Sequence, residues 1–518
     1  MPLWKHNFRG NALVAAITAC TCQGFIVFGY DQGVMSGIIG ADNAFGDYFN
    51  SPDPNVQGNI TALFDIGAVA GAILSYVVGE TLGRRRMIML AGSTLIIGTI
   101  ILASSTSIAQ LIAGRIITGV GMGINCATSP VYLGECCPPK NRGAILSIQG
   151  LLAIVGLLIA YWLDYGTSFY DSDFQWRFPL AFQGIFALGL LVQVIGLPES
   201  PRWLVLKDRG QEAQAVLSAL HDLPEDHPEV QLSLQEIHTA QELASRGGPF
   251  SYKELFSGGK LQNWRRTTLT VVIMIMQQFT GANMINYYAP VVYQGTMKIS
   301  RHTSLILGGC TGVAYLIGSF ISLFTTDFHG RRLVLMWSSA GLSMCFIVAT
   351  ILLSFETVGA AYGAAAMIFL FQTFLGIGWH PIAWFYPSEI NTTRLRSRAA
   401  AITAASNWMT TFVVVKITPI AIANLSWRTF IIFGVLNAAW IPVIYFFFPE
   451  TKGLSLEDID HIFEKGGFTG GVFSSKGGRT VVPHQHRQEV GLEIEGKSDG
   501  GVVVHVEGNS KDVTAEDV

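Results

Sequence analysis

Apolar runs of membrane-spanning length recur along the whole chain, and they decide most of what it can fold into. Crossing hydrocarbon as a helix takes about 20 largely apolar residues. Twelve stretches meet that need, at 11–35, 58–79, 87–105, 109–132, 144–163, 179–197, 267–292, 304–325, 333–354, 361–386, 399–421 and 428–448. They are far longer than the strands of a membrane barrel and do not alternate, so strands are excluded. Composition agrees: 13% of residues are charged, about half the share of a soluble domain. Runs such as GRIITGVGMGINCATSP are rich in small residues, which let helices approach closely in lipid. The fold class expected is an all-α membrane protein.

The loops set sidedness. Arg84–Arg86, Lys140, Arg142, Arg331, Arg332, Arg394, Arg396 and Arg398 fall on alternate loops, and acidic residues such as Asp42, Asp53 and Asp171 on the others. Basic loops stay cytoplasmic, so both termini are expected inside. The N-terminus lacks a cleavage site ahead of a soluble domain, and the first run reads as an uncleaved span. Four regions follow: 1–197 as a six-helix bundle, 198–266 as a cytoplasmic linker with short amphipathic helices, 267–448 as a second six-helix bundle, and 449–518 as a largely disordered cytoplasmic tail. Asn59, in NIT, is a candidate glycosylation acceptor on the outer side.

The two bundles echo each other. ETLGRRR pairs with DFHGRRL, GECCPPKNRG with SEINTTRLRS and LPESPRW with FPETKGL, at offsets of 247, 254 and 251 residues. Six helices per half make the repeats parallel, related by an axis along the membrane normal, with a cavity between them. Glu80 and Asp327 precede the Gly-Arg-Arg triplets. Arg84, Arg85 and Arg142 can pair with Glu135, and Arg331, Arg332 and Arg394 with Glu389; the same arginines would also serve topology alone.

Polar residues inside the spans point to function. Gln277, Gln278 and Asn283 put amides on an otherwise apolar span, with Gln149 and Asn407 similarly placed on two others. Amides donate and accept at once, which suits a polyhydroxylated ligand; bonding between helices is the plainer use. Asp31, in IVFGYDQGVMSG, costs roughly 2.5–3.5 kcal/mol at the bilayer centre unless paired. Arg115 is the natural partner. A carboxylate whose protonation changes with conformation can carry a proton through a transport cycle. The helix reads as broken, with Gly29, Gly33 and Gly37 allowing close packing, and Asp31 stands nearly alone among in-span carboxylates. A net charge of -3 suggests no nucleic-acid partner, the seven cysteines lack metal spacing, and no cofactor motif or catalytic cluster is seen.

FGYDQGV, GRIITGVGMG, PVYLGE, PESPRW, QQFTGANMINYYAP, GIGWHPIAWFYPSEI and PETKG, in this order, resemble the sugar porter family of the major facilitator superfamily, fungal members above all. The resemblance implies the major facilitator fold, no enzymatic activity and alternating access around a central site. It implies substrate contacts at Gln149, Gln277, Gln278, Asn283, Trp384 and Asn407, with Phe28, Tyr287 and Tyr288 lining the cavity or its outer gate. It implies a cytoplasmic latch from the acidic and basic loop residues, and proton symport through Asp31 and Arg115. His380, Ala383, Leu157 and Tyr315 depart from the pattern. His380 reads either as a carboxylate binder or as a neutral packed histidine.

The expected function is therefore secondary transport of a sugar or related polyhydroxylated solute with a proton, by a monomer in the plasma membrane. A proton-independent facilitator, a transporter or exporter of a non-sugar metabolite such as quinate, and a nutrient sensor are the rivals.

Overall fold

The computed structural model describes residues 8–39, 43–137, 142–246, 252–259, 261–392, 395–454 and 456–464, with positions 469, 472, 492–493 and 505–506 beyond them. Among the described residues the helices make twelve crossings. Spans 1 to 6 are Gly10–Ile38, Pro54–Leu82, Arg84–Ala103, Ile108–Cys136, Arg142–Thr167 and Phe174–Ile195. Span 7 is two helices, Asn263–Gln278 and Ala282–Met297. Spans 8 and 9 are Arg301–His329 and Arg331–Leu353, and span 10 is again split, into Val358–Ile377 and Trp379–Ile390. Spans 11 and 12, Arg396–Leu425 and Thr429–Phe447, are joined by a short turn, so by length and hydropathy alone they merge into one stretch.

The exterior is apolar and much of the interior polar. Ile73, Val77, Ile97, Ile185, Phe320 and Val435 are exposed, whereas Asp31, Asp65, Arg115 and Gln278 are buried. This is the arrangement lipid demands of a helical protein.

The packing repeats as the sequence does. Spans 1 and 5, 2 and 4, 3 and 4, and 3 and 6 pack together in the first half, and 7 and 11, 8 and 10, 9 and 10, and 9 and 12 in the second. The halves meet through spans 2 and 11, 5 and 8, and 1 and 7. Contacts between them close the face away from the Gly-Arg-Arg loops. There Lys416 of span 11 donates to the Asn55 carbonyl at 2.9 Å and to Asn59 Oδ1 at 2.5 Å, and His302 stacks on Phe169 with ring centroids 5.1 Å apart.

One expectation fails. Span 1 runs unbroken through Asp31 to Ile38. Its glycines allow the close packing expected of them: a Cβ on Gly29 would lie 1.6 Å from the Ala153 carbonyl oxygen of span 5. Close approach of two backbones, rather than a break, is what requires glycine here.

The segment after span 6 forms the short helices expected, Pro201–Leu206, Gly210–His221 and Pro228–Arg246. Most of the tail lies outside the described residues. Leu492–Glu493 pairs there with His505–Val506 as two antiparallel two-residue strands.

Candidate functional site

Span 7 breaks between its two helices at Gly281, whose φ is +93°. The break sets Gln277 and Gln278 at the end of one helix and Asn283 at the start of the next. Span 10 breaks at Gly378, where a Cβ would meet Ser338 Oγ at 2.6 Å, and the following helix carries His380 and Trp384. Between the halves these residues border a cavity, part of it open to solvent.

The second half supplies its polar wall. Asn283 Nδ2 donates to Gln278 Oε1 at 2.5 Å, and Gln278 Nε2 to Gln277 Oε1 at 3.4 Å. Gln277 Oε1 also accepts from Asn407 Nδ2 at 3.2 Å, while Gln277 Nε2 donates to the Trp379 carbonyl at 3.2 Å. Each amide keeps unused donor or acceptor positions, so the chain can exchange some internal bonds for solute hydroxyls. The first half supplies a mainly apolar wall, Phe28, Ala153, Ile154 and Leu157, with Gln32 as its polar member.

Of the substrate contacts expected, the structure places Phe28, Gln277, Gln278, Asn283, Trp384 and Asn407 on this cavity. Gln149 is buried on span 5 and is not among the lining residues. Trp408 lies behind the wall, edge-on to Phe28 at 5.5 Å and to Phe64 at 6.1 Å. Gln32, Asn286 and Thr411 line the cavity and were missed. Asn286 and Thr411 sit three and four residues beyond Asn283 and Asn407, the helical spacing that returns to the same face.

His380 is packed between the halves. Its Nδ1 lies 2.6 Å from the Tyr315 hydroxyl, and its Nε2 reaches the backbone of Gly150 on span 5. With Nε2–H donating to the Gly150 carbonyl, Nδ1 accepts from Tyr315. Both nitrogens of a neutral ring are thereby used, in keeping with the packed reading.

Arg115 Nη1 donates to Asp31 Oδ1 at 2.7 Å, and side-chain exposure is 0% and 2%. A chain of rings lies between the pair and the cavity wall. Arg115 Cζ lies 4.5 Å from the Phe64 centroid, and Phe64 meets Trp408, which meets Phe28 on the cavity wall. Asp31 does not stand alone: Asp65 of span 2 and Asp164 of span 5 are also buried carboxylates. The signal for Asp65 was the one used for Asp31, a single carboxylate in TALFDIGAVAG.

At the Gly-Arg-Arg loops the two halves build the same cluster. Gly83 and Gly330 have φ of +88° and +87°. They turn the chain so that the next helix presents its first N–H groups to a carboxylate: Arg84 N to Glu199 Oε1, and Arg331 N to Glu450 Oε1, both at 2.9 Å. Arg84 grips both oxygens of Glu135 at 3.0 Å, and Arg331 holds Glu389 Oε1 at 3.0 Å. Ser200 and Thr451 donate to the same two glutamates at 2.5 and 2.6 Å. Burial pushes the Glu199 carboxyl above its usual value, opposed by the N–H groups of Ser200, Arg85 and Arg84.

Several latch assignments change. Glu80 is exposed, and Glu199 takes the inner position instead. The Arg85 guanidinium caps the end of span 6, donating to the Ile195 carbonyl at 2.6 Å, and Arg332 likewise reaches the Tyr445 carbonyl. The side chains of Arg142 and Asp327, and all of Arg394, lie outside the described residues. The bonds described tie helices within each half. Asn59 is half-buried in the second turn of span 2, with Oδ1 held by Lys416.

Comparison with known proteins agrees with this architecture. The family model described as "Sugar (and other) transporter" matches residues 15–463. The MFS-type transporter oryC of Aspergillus oryzae is 36% identical over 466 residues, covering 88% of this chain and 86% of the relative. The sugar transporter STL1 of Saccharomyces cerevisiae is 36% identical over 472 residues, covering 89% and 83%. Among solved structures, the partially occluded inward-open xylose transporter XylE from E. coli superposes with a TM-score of 0.73 at 24% identity, covering 86% of this chain and all of that one. The chain belongs to the sugar transporter family of the major facilitator superfamily.

Proposed function

We propose that this protein is a secondary transporter that moves a sugar or related polyhydroxylated solute by alternating access, in symport with a proton. The observation that carries the reading is the amide-lined cavity at the break of span 7, joined through Phe28, Trp408 and Phe64 to the buried Asp31–Arg115 pair. Solute hydroxyls replace part of the amide chain, and a sugar ring lies against Trp384. Asp31 and Arg115 part and re-form as the halves rock, which couples protonation to access. The names of relatives support the solute class: STL1 is called a sugar transporter, and HXT3 of Saccharomyces cerevisiae a low-affinity glucose transporter.

The Gly-Arg-Arg face is the cytoplasmic one on the charge rule, which puts both termini inside, and the site for the protein is the plasma membrane, where it acts as a monomer. The Arg84–Glu135 and Arg331–Glu389 clusters stiffen that face of each half and form the platform on which it closes. Asn59 is the position for an outer glycan.

His380 and Tyr315 favour a second reading of the solute, as a polyol or small metabolite rather than a hexose. They bridge to Gly150 and fill volume beside the amides. Uptake of labelled hexoses, pentoses, disaccharides, glycerol and quinate into proteoliposomes, with and without a protonophore, separates the readings. Accumulation of one polyhydroxylated solute that collapses with the protonophore is expected. Unchanged accumulation with the protonophore contradicts symport, and no uptake of any member contradicts the solute class.

A further inference from the structure

We propose that the first half stores a proton on Asp65, which forms with Asp31 and Arg115 a three-group charge site; only its use in transport rests on the symport reading above. Asp65 lies in the middle of span 2 with no exposed surface, and neither carboxyl oxygen has a hydrogen-bond partner among the described residues. Spans 2 and 4 interlock at its level. A Cβ on Gly119 would come within 2.1 Å of the Phe64 carbonyl oxygen, and Arg115, one turn earlier, lies over the Phe64 ring. Arg115 and Asp31 are the charges that act on Asp65.

Other ionisable groups reach this region from packed elements. Tyr287 and Tyr288, both fully buried, come from the second helix of span 7. Lys416 of span 11 is engaged at the start of span 2 by Asn55 and Asn59. Arg84, Arg85 and Arg86 sit at the first turn of span 3, with the first two committed to the loop cluster.

Counting charge assigns the proton. Two carboxylates and one guanidinium leave one uncompensated negative charge, which a sealed apolar setting does not tolerate. Asp31 receives a charge-assisted bond from Arg115 and stays ionised. Asp65 receives none, so its carboxyl group takes the proton. When water reaches the site, Asp65–COOH gives that proton to water and becomes a carboxylate. Tyr287 and Tyr288, at the kink in the second helix of span 7, carry the change in charge to the helix that borders the cavity.

Infrared spectroscopy of the full-length purified protein tests this without any solute. In the wild type at neutral pH, the carbonyl stretch of a protonated carboxyl, sensitive to D₂O, is expected. One component of it should be lost in Asp65→Asn, shift in Asp65→Glu and survive in Asp164→Asn, which removes another deeply buried carboxyl. A band of wild-type intensity in Asp65→Asn overturns the proposal. If the asparagine variant does not fold, an unshifted band in Asp65→Glu overturns it equally. A protein that proves to be a uniporter in the flux assay leaves this readout intact, so the two failures are distinguishable.

Discussion

The two halves share a scaffold and differ inside it. Helix pairings match, and the Gly-Arg-Arg clusters match residue for residue: Arg84 with Arg331, Glu135 with Glu389, Glu199 with Glu450, and Ser200 with Thr451. Their interiors do not. The first half buries Asp31, Asp65 and Arg115 behind a mainly apolar wall, with its spans unbroken. The second half breaks spans 7 and 10 and offers amides. Where the repeat is kept, it serves folding and closure. Where it is lost, the proposed labour divides: protons on one side, solute on the other.

The largest effect expected from breaking this division is at Arg115. Arg115→Leu strands the ionised Asp31 without its counter-charge. Losing one partner of a buried pair costs about 3–5 kcal/mol, so a thermal melt in detergent should show a large loss of stability, and pH-driven accumulation should cease. The matching change in the other half, Asn283→Ala, should leave stability and proton coupling in place. It removes a bond worth about 1 kcal/mol, so KM in counterflow should rise several-fold. Loss of coupling in Asn283→Ala, with KM unchanged, would break the division.

A finer test uses the shared clusters. Glu135→Gln and Glu389→Gln each weaken charge-assisted bonds worth roughly 1.5–3 kcal/mol before allowance for partial exposure. Paired melts should show losses of similar size in the two variants, and a loss confined to one would show that the symmetry is only apparent. The smallest effect is at His380. His380→Ala opens space beside Tyr315 and frees Gly150, so competition by bulkier solutes should improve modestly while proton coupling is kept.

Much of this was legible in the sequence, because long apolar runs, basic loops and a repeat near 250 residues each have one physical reading. The amides of spans 7 and 11 were legible for the same reason, since lipid rejects them. What escaped depends on path. Gly29 and Gly281 look alike in sequence, yet one meets the span 5 backbone and the other ends a helix. Glu80 and Glu199 both flank basic residues, and only the fold decides which reaches the first N–H groups of span 3. Gln149 has the right chemistry but is not among the lining residues, where Leu157 stands. Asp65 was legible and overlooked.

Coupling through the Asp31 site is the central claim, and Asp31→Asn in proteoliposomes tests it most directly. With an imposed pH gradient, the wild type should accumulate its solute above equilibrium, while the variant should exchange solute in counterflow but never accumulate it. Wild-type accumulation by Asp31→Asn under the same gradient would contradict the account.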